Sequence, residues 1–190
     1  PSLYIMQTNL GLANFLFEDG QGQDAVGVSL DFFLGSAFPY IQLAPENAAF
    51  SNYNNRTFNA DHVISKSVNA IVDDMVGAPL ETNLINSMIR EGKRLYILES
   101  ICAEVHDSAV FELSDRDLIW CENNELEMWN FFVEQELIYE TDLNVYGKYL
   151  RPAPNSPGMP ADAPGKTAAF IGYKIVESYM NRNTGLSMTD

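Results

Sequence analysis

The amino-acid sequence predicts an α+β fold, a small N-terminal sheet followed by a mainly helical body. Three observations carry that expectation. The first third of the chain holds short runs of aliphatic, aromatic and β-branched residues punctuated by turn residues. A long stretch from Gly35 to Phe58, with Phe38-Pro39-Tyr40 and the Asn-rich Ser51-Asn52-Tyr53-Asn54-Asn55, shows no period and reads as a loop. From Asp61 onward the apolar residues recur at helical spacing. Residues 1–58 are therefore expected to form strands and a long loop, and 59–190 a helical body, within one domain large enough to bury a substantial core.

Leu3 to Met6, Ala13 to Phe17 and Val26 to Phe33 are the strand candidates. Asp19-Gly20-Gln21-Gly22 supplies a turn between the last two, so Leu16-Phe17 and Val26 to Leu30 are expected as a hairpin. The first helix is predicted over Asp61 to Met75, with Ile64, Val68, Ile71, Val72 and Met75 on one face and Gly77 and Pro79 ending it. A second helix, starting near Glu81-Thr82 and running to about Glu99, follows after a loop short enough to make the two neighbours. Ser114-Asp115-Arg116-Asp117 has the pattern of a capped helix start. A longer helix is expected from Leu126 through Trp129, Phe132 and Val133 to Leu137 and Ile138. Residues 151–165 carry five prolines and two glycines and read as a rigid, ordered loop, because a strong helix bearing Phe170, Ile171, Ile175, Val176, Tyr179 and Met180 follows it.

The second helix contains the most informative local feature. Leu80, Leu84, Met88, Leu95 and Leu98 share a face widened by Ile85, Ile89 and Tyr96, and Gly92 falls in its middle. Glycine inside a helix costs about 1 kcal/mol against alanine, so its presence there implies close approach of another backbone. Gly172 occupies a similar place on the last helix, and the two helices are expected to cross one another or a third helix at close range. Glu91 shares a ridge with Met88 and Leu95, so its carboxylate sits at the edge of buried surface and needs a partner. A salt bridge and a metal ion are the alternatives.

Composition narrows the function classes. The formal net charge is −15, and between Glu99 and Asp142 there are 13 acidic residues against one basic residue, Arg116. Such a field repels phosphate backbones and anionic lipid surfaces, which disfavours nucleic-acid binding. Solubility, a cation or a basic partner each accounts for it. Two cysteines, Cys102 and Cys121, rule out a disulfide framework. Their apolar neighbourhoods favour free buried thiols over a single bridge. No run of about 20 apolar residues is present to span a bilayer. The chain has no glycine-rich phosphate loop, no Gly-x-Ser-x-Gly elbow and no Cys-x-x-Cys pair. His62 and His106 lie far apart; a lone His at a helix start is most often a cap, and Glu104-Val105-His106-Asp107 has no diagnostic ligand spacing.

Four stretches carry a family resemblance. They are Val28-Ser29-Leu30-Asp31-Phe32-Phe33-Leu34-Gly35, Met88-Ile89-Arg90-Glu91-Gly92-Lys93-Arg94-Leu95-Tyr96, Asn124-Glu125-Leu126-Glu127-Met128-Trp129, and Pro164-Gly165-Lys166 followed by Phe170 to Met180. In order and approximate spacing, from about Gly27 to Asn183, they resemble the GldB family, envelope lipoproteins associated with gliding motility in Bacteroidetes. The resemblance implies a cell-envelope location, periplasmic or attached to the outer membrane, a protein partner there, and a lipid anchor upstream of this chain, which would then be an N-terminally truncated member. A fainter resemblance, to zinc peptidases of the gluzincin type, implies a zincin-like fold. In those enzymes a helix with His-Glu-x-x-His precedes a second helix whose Glu, often followed by Gly, is the third zinc ligand. Glu91-Gly92 matches that third position. The preceding helix offers Lys66, Asn69 and Ala70, with no His-x-x-x-His pair and no Glu for a general base.

The two resemblances together therefore imply a non-catalytic envelope protein with a degenerate, peptidase-like site, no cofactor, and no metal. The alternatives are a hydrolase with Glu91, Glu99 and His106 as candidates, and a small-ligand module using the cleft around Glu91. The residues singled out as a candidate cleft are Glu91, Gly92, Glu99, His106, Asp31, Glu125 and Gly172. Oligomeric state is left open.

Overall fold

A computed structural model describes residues 1–43 and 45–186. Strands β1 (Ser2–Met6), β2 (Asn14–Glu18) and β3 (Asp24–Ser29) form one sheet in the order β1-β3-β2. The β2–β3 pair is the expected hairpin, antiparallel, with Leu16 opposite Val26 and Phe17 opposite Ala25. Asp19 builds its turn: its carboxylate accepts from the Gln21 and Gln23 amides at 2.8 and 3.1 Å. β1 lies parallel to β3 on the other side. Ala25, Val26 and Val28 are buried, while β1 is exposed up to the half-buried Met6 and β2 is half-buried apart from the exposed Leu16 and Glu18, so the central strand ties the sheet to the body.

The third strand is shorter than its apolar run. It stops at Ser29, and Leu30–Phe32 turn as a 3-10 helix. The Asp31 carboxylate takes the Ser29 hydroxyl and, at 2.7 Å, the Leu10 amide, which folds the chain back across the sheet edge. The segment expected as loop from Gly35 to Phe58 is also more structured than its sequence suggests. It holds α1 (Tyr40–Leu43), a 3-10 turn at Ala48–Phe50 and α2 (Asn52–Asn55). Phe32, Tyr40, Phe50 and Phe58 make a second small core there, with ring centroids 5.0–6.3 Å apart. Its aromatic residues come from four separate turns, so they produce no period.

Helix α3 (Val63–Val76) ends where Gly77 adopts a φ of 67°, as its sequence predicts. The buried face differs from the expected one. Val72 and Ser65 are buried, whereas Ile64 and Met75 are 59% and 66% exposed. The helix packs on β2, β3 and α4, and the polar residues it turns towards α4 are held by specific partners described below. Helix α4 (Leu84–Ile101) is capped by Asn83, whose side chain accepts from the Asn86 amide at 3.0 Å. Leu80 lies before the helix and is 95% exposed, so it is no part of the core face.

The short α5 (Asp107–Phe111) is capped by His106 and closed by Glu112 in the left-handed region, φ 52°. α6 (Asp115–Asn123) opens on the expected capping box between Ser114 and Asp117. α7 (Glu125–Glu134) ends earlier than expected, because Glu136 takes a φ of 56° and the Leu137 amide turns back to the Phe132 carbonyl. Leu137 and Ile138 still pack on the core, from the turn instead of the helix. After α8 (Leu143–Tyr146), the proline-rich segment is pinned by the buried Ser156 hydroxyl, 2.7 Å from the Pro164 carbonyl and 2.8 Å from the Thr167 hydroxyl. α9 (Thr167–Arg182) then enters the main core against α4. The architecture is thus α+β, a three-stranded N-terminal sheet followed by a mainly helical body.

Gly92 and Gly172 face each other at that crossing. A Cβ on Gly92 would lie 2.1 Å from the Gly172 carbonyl oxygen, and one on Gly172 would lie 1.9 Å from the Met88 carbonyl oxygen. Backbone touches backbone on both sides, which explains the two mid-helix glycines. Cys102 and Cys121 are free and buried. Burial, aided by Asp117 and Glu122, pushes the Cys121 thiol up to about 12. Among the described residues, no helix is long and apolar enough to cross a membrane.

Candidate functional site

The α3–α4 contact holds a chain of half-buried charge that ends on the exposed Asp73. Arg94 approaches Glu91 through Nε at 2.9 Å and Nη2 at 2.8 Å, and Arg90 bonds the other carboxylate oxygen of Glu91. Arg94 also donates to the Asn69 side chain on α3. Arg90 reaches past Glu91 to Asp73 and, at 2.9 Å, to the Gly77 carbonyl at the end of α3. Burial by itself would raise the Glu91 carboxyl, but Arg94 and Arg90 outweigh it and hold it below the ordinary carboxylate range. The partner that Glu91 requires is therefore a pair of guanidinium groups.

A second centre lies next to it, built on two strained residues. Glu112, φ 52°, and Lys166, φ 63°, both occupy the left-handed region, where a non-glycine residue costs about 1–2 kcal/mol. Lys66 on α3 meets the Glu112 carboxylate at 2.6 Å and Lys166 meets it at 3.4 Å. Lys166 has only 5% of its side chain exposed, and its ammonium also donates to the Phe111 carbonyl at 2.6 Å. That places a cation on the carbonyl end of α5, where unpaired acceptors gather. Burial raises the Glu112 carboxyl, yet Lys166, Lys66 and Arg94 together hold it far below its usual value. Burial lowers the Lys166 ammonium, and Glu112 opposes that.

Arg56 extends the cluster. Its guanidinium donates to the Glu112 carbonyl at 2.8 Å, lies over the Tyr53 ring at 3.8 Å and reaches Asp117 at 3.5 Å. A cavity of about 160 Å³ opens here, lined among others by Tyr53, Arg56, Thr57, Phe58, Lys66 and Glu112. Five of the chain's 11 basic residues, Arg56, Lys66, Arg90, Arg94 and Lys166, gather in this region of a protein whose formal charge is −15. The Pro164-Gly165-Lys166 stretch and Lys66 were visible in the sequence. Glu112 was not distinguishable there from its twelve acidic neighbours.

The remaining candidate residues do not converge. Glu99 sits further along α4 and accepts from the Tyr173 hydroxyl at 2.8 Å; burial raises its carboxyl, with Tyr173 opposing and Asp107 and Glu177 adding to the rise. His106 is exposed, caps α5 and stands 3.6 Å from Asp115. Asp31 closes the turn after β3, and Glu125 begins α7 beside a groove between α7 and α9. His62 bonds Asn59 at 3.0 Å near the start of α3. Among the described residues, no three His, Cys, Asp or Glu side chains meet in a way that could hold a metal ion.

The molecule is a small α+β protein organised around a glycine–glycine helix crossing, with a half-buried ion-pair cluster beside it. Its sequence matches the family model described as Gliding motility protein GldB over residues 1–190, and the chain belongs to that family. Neither the curated proteins nor the solved structures contain a match to it.

Proposed function

We propose that the chain is a single-domain, non-catalytic component of the gliding apparatus in the cell envelope, acting through protein contacts. In this reading the Glu91 position is a metallopeptidase-like ligand position that has become structural. Membership of the GldB family supports the process and the location. The clamp on Glu91 supports the loss of chemistry. Both of its oxygens bond guanidinium groups, and α3 presents Lys66 and Asn69 where a zinc peptidase needs imidazoles. A divalent cation placed at Glu91 would meet two positive charges and a single carboxylate.

The test is the metal content of purified protein together with its melting temperature in excess EDTA. We expect less than stoichiometric zinc and no thermal shift. A ligand at 100 times its dissociation constant stabilises a fold by about 2.7 kcal/mol, roughly 5–11 °C for a chain of this size. One tightly bound zinc per chain, lost in Glu91→Gln and on chelation, would restore the peptidase reading.

A second reading, a small-ligand site, is favoured by the cavity at Tyr53, Arg56 and Lys66. About 160 Å³ is below the usual range for a whole ligand, so it would accept only the carboxylate or similar anionic end of one. Saturable binding of short-chain carboxylates, lost in Arg56→Gln, would establish it.

A further inference from the structure

Helix α7 carries an unexplained surface on the side facing the proline-rich segment. A groove of about 320 Å³ is lined by Trp120, Met128, Phe131, Met159 and Pro160, with Glu127 and Glu134 also on its wall. Met128 is buried and forms the floor; Trp120, Phe131 and Met159 are half-buried and already rest on the main core. Glu127 and Glu134 are seven residues apart, so they stand about 10.5 Å from each other along the helix, with Phe131 between them. Neither makes an ion pair or a side-chain hydrogen bond with any described residue, unlike Glu91, Glu112 and Asp117. The surrounding segment from Glu99 to Asp142 carries 13 acidic residues and one basic residue, so the chain on either side of them supplies almost no positive charge.

We propose that this groove docks a basic segment of a protein partner, with one or two apolar side chains seated on Phe131, Met128 and Met159 and two flanking Lys or Arg side chains on Glu127 and Glu134. Two cations three residues apart in a polyproline II-like chain lie on one face and stand about 9 Å apart, close to the spacing of the two carboxylates. The two methionines give the floor an adaptable, polarisable surface suited to aliphatic or aromatic side chains. A second copy of the chain fits poorly, since it brings a further −15 of formal charge to an acidic rim. An anionic lipid surface is repelled for the same reason. The proposal rests on the reading that the protein works through protein contacts, but the zinc assay does not bear on it, so the two fail separately.

The test is fluorescence anisotropy with a labelled Gly-Lys-Leu-Phe-Lys-Gly peptide at low and physiological salt, on the full chain. We expect saturable binding that weakens with salt and whose dissociation constant rises at least fivefold in Glu127→Gln/Glu134→Gln. A charge-matched control, Asp24→Asn/Glu104→Gln, removes two exposed carboxylates elsewhere and should leave binding within twofold. Replacing the peptide's Leu and Phe by Ser should abolish it. The proposal is overturned by an absence of saturable binding, by equal weakening in the two double variants, or by undiminished binding of the Ser peptide. A dimer in sedimentation equilibrium that the peptide disperses would assign the groove to a second copy instead.

Discussion

Replacing Gly92 by alanine isolates the helix crossing, because it adds one methyl group and nothing else. In a free helix the change would stabilise by about 1 kcal/mol. Here the new Cβ would stand 2.1 Å from the Gly172 oxygen, 2.4 Å from its carbonyl carbon and 2.9 Å from the Tyr173 amide nitrogen. All three are backbone atoms within a helix, so no side chain can swing away. Relief requires α4 and α9 to separate by more than 1 Å, since an ordinary contact is about 3.5 Å. A gap of 0.5–1 Å already forfeits a quarter to a half of each contact's attraction, and this crossing joins the two helices that form the centre of the core. Overpacking of this kind costs about 1–3 kcal/mol and sometimes more. We expect the upper end to outweigh the propensity gain, for a net loss of about 2 kcal/mol and a fall in melting temperature of about 4–8 °C. Thermal denaturation followed by circular dichroism measures it. Gly185→Ala, where a Cβ meets nothing within 4 Å, serves as the control and should shift the midpoint little. A Gly92→Ala protein with an unchanged or raised midpoint would refute the close crossing.

Other outcomes follow from the buried charges and the thiols. Glu112→Gln leaves Lys66 and Lys166 without their shared carboxylate and should cost about 3 kcal/mol or more at neutral pH, read from urea midpoints. Because the folded-state Glu112 carboxyl is held below its unfolded value, its stabilisation is complete above about pH 4.3 and is lost as pH falls through the folded value. The stability difference between wild type and Glu112→Gln should therefore shrink on acidification below about pH 4. Glu99, whose carboxyl is raised, acts in the opposite sense, but it is common to both proteins and cancels in the difference. A difference that stays constant from pH 7 to about pH 2 would refute the buried pairing. Cys102 and Cys121 should both resist a thiol reagent in the native protein and both react once it is unfolded; no reactive thiol under denaturing, non-reducing conditions would reveal a bridge instead.

Local rules settled much of this protein from its sequence. The β2–β3 hairpin follows from alternating apolar residues around an Asp-Gly turn, and the end of α3 and the start of α6 follow from Gly77 and the Ser114–Asp117 box, whereas α4 starts at Leu84 on the Asn83 cap and not at the expected Glu81-Thr82. The need of Glu91 for a partner and the close approach at Gly92 were also legible, because an unpaired carboxylate and a mid-helix glycine are each unfavourable without a tertiary reason. What the sequence left open was which atoms supply that reason. That the partner of Gly92 is Gly172, 80 residues away, and that Glu91 is answered by Arg90 and Arg94 instead of a metal, depend on how α3, α4 and α9 dock. The same docking turned Ile64 and Met75 outward and made Asn69 an inward residue, against the apolar pattern of α3, because a polar side chain can face the interior once Arg94 satisfies it. The Phe32–Tyr40–Phe50–Phe58 core and the Glu112–Lys166 pair were invisible for a related reason. Their members are scattered along the chain without a period, and only long-range contacts, which no local spacing encodes, bring them together.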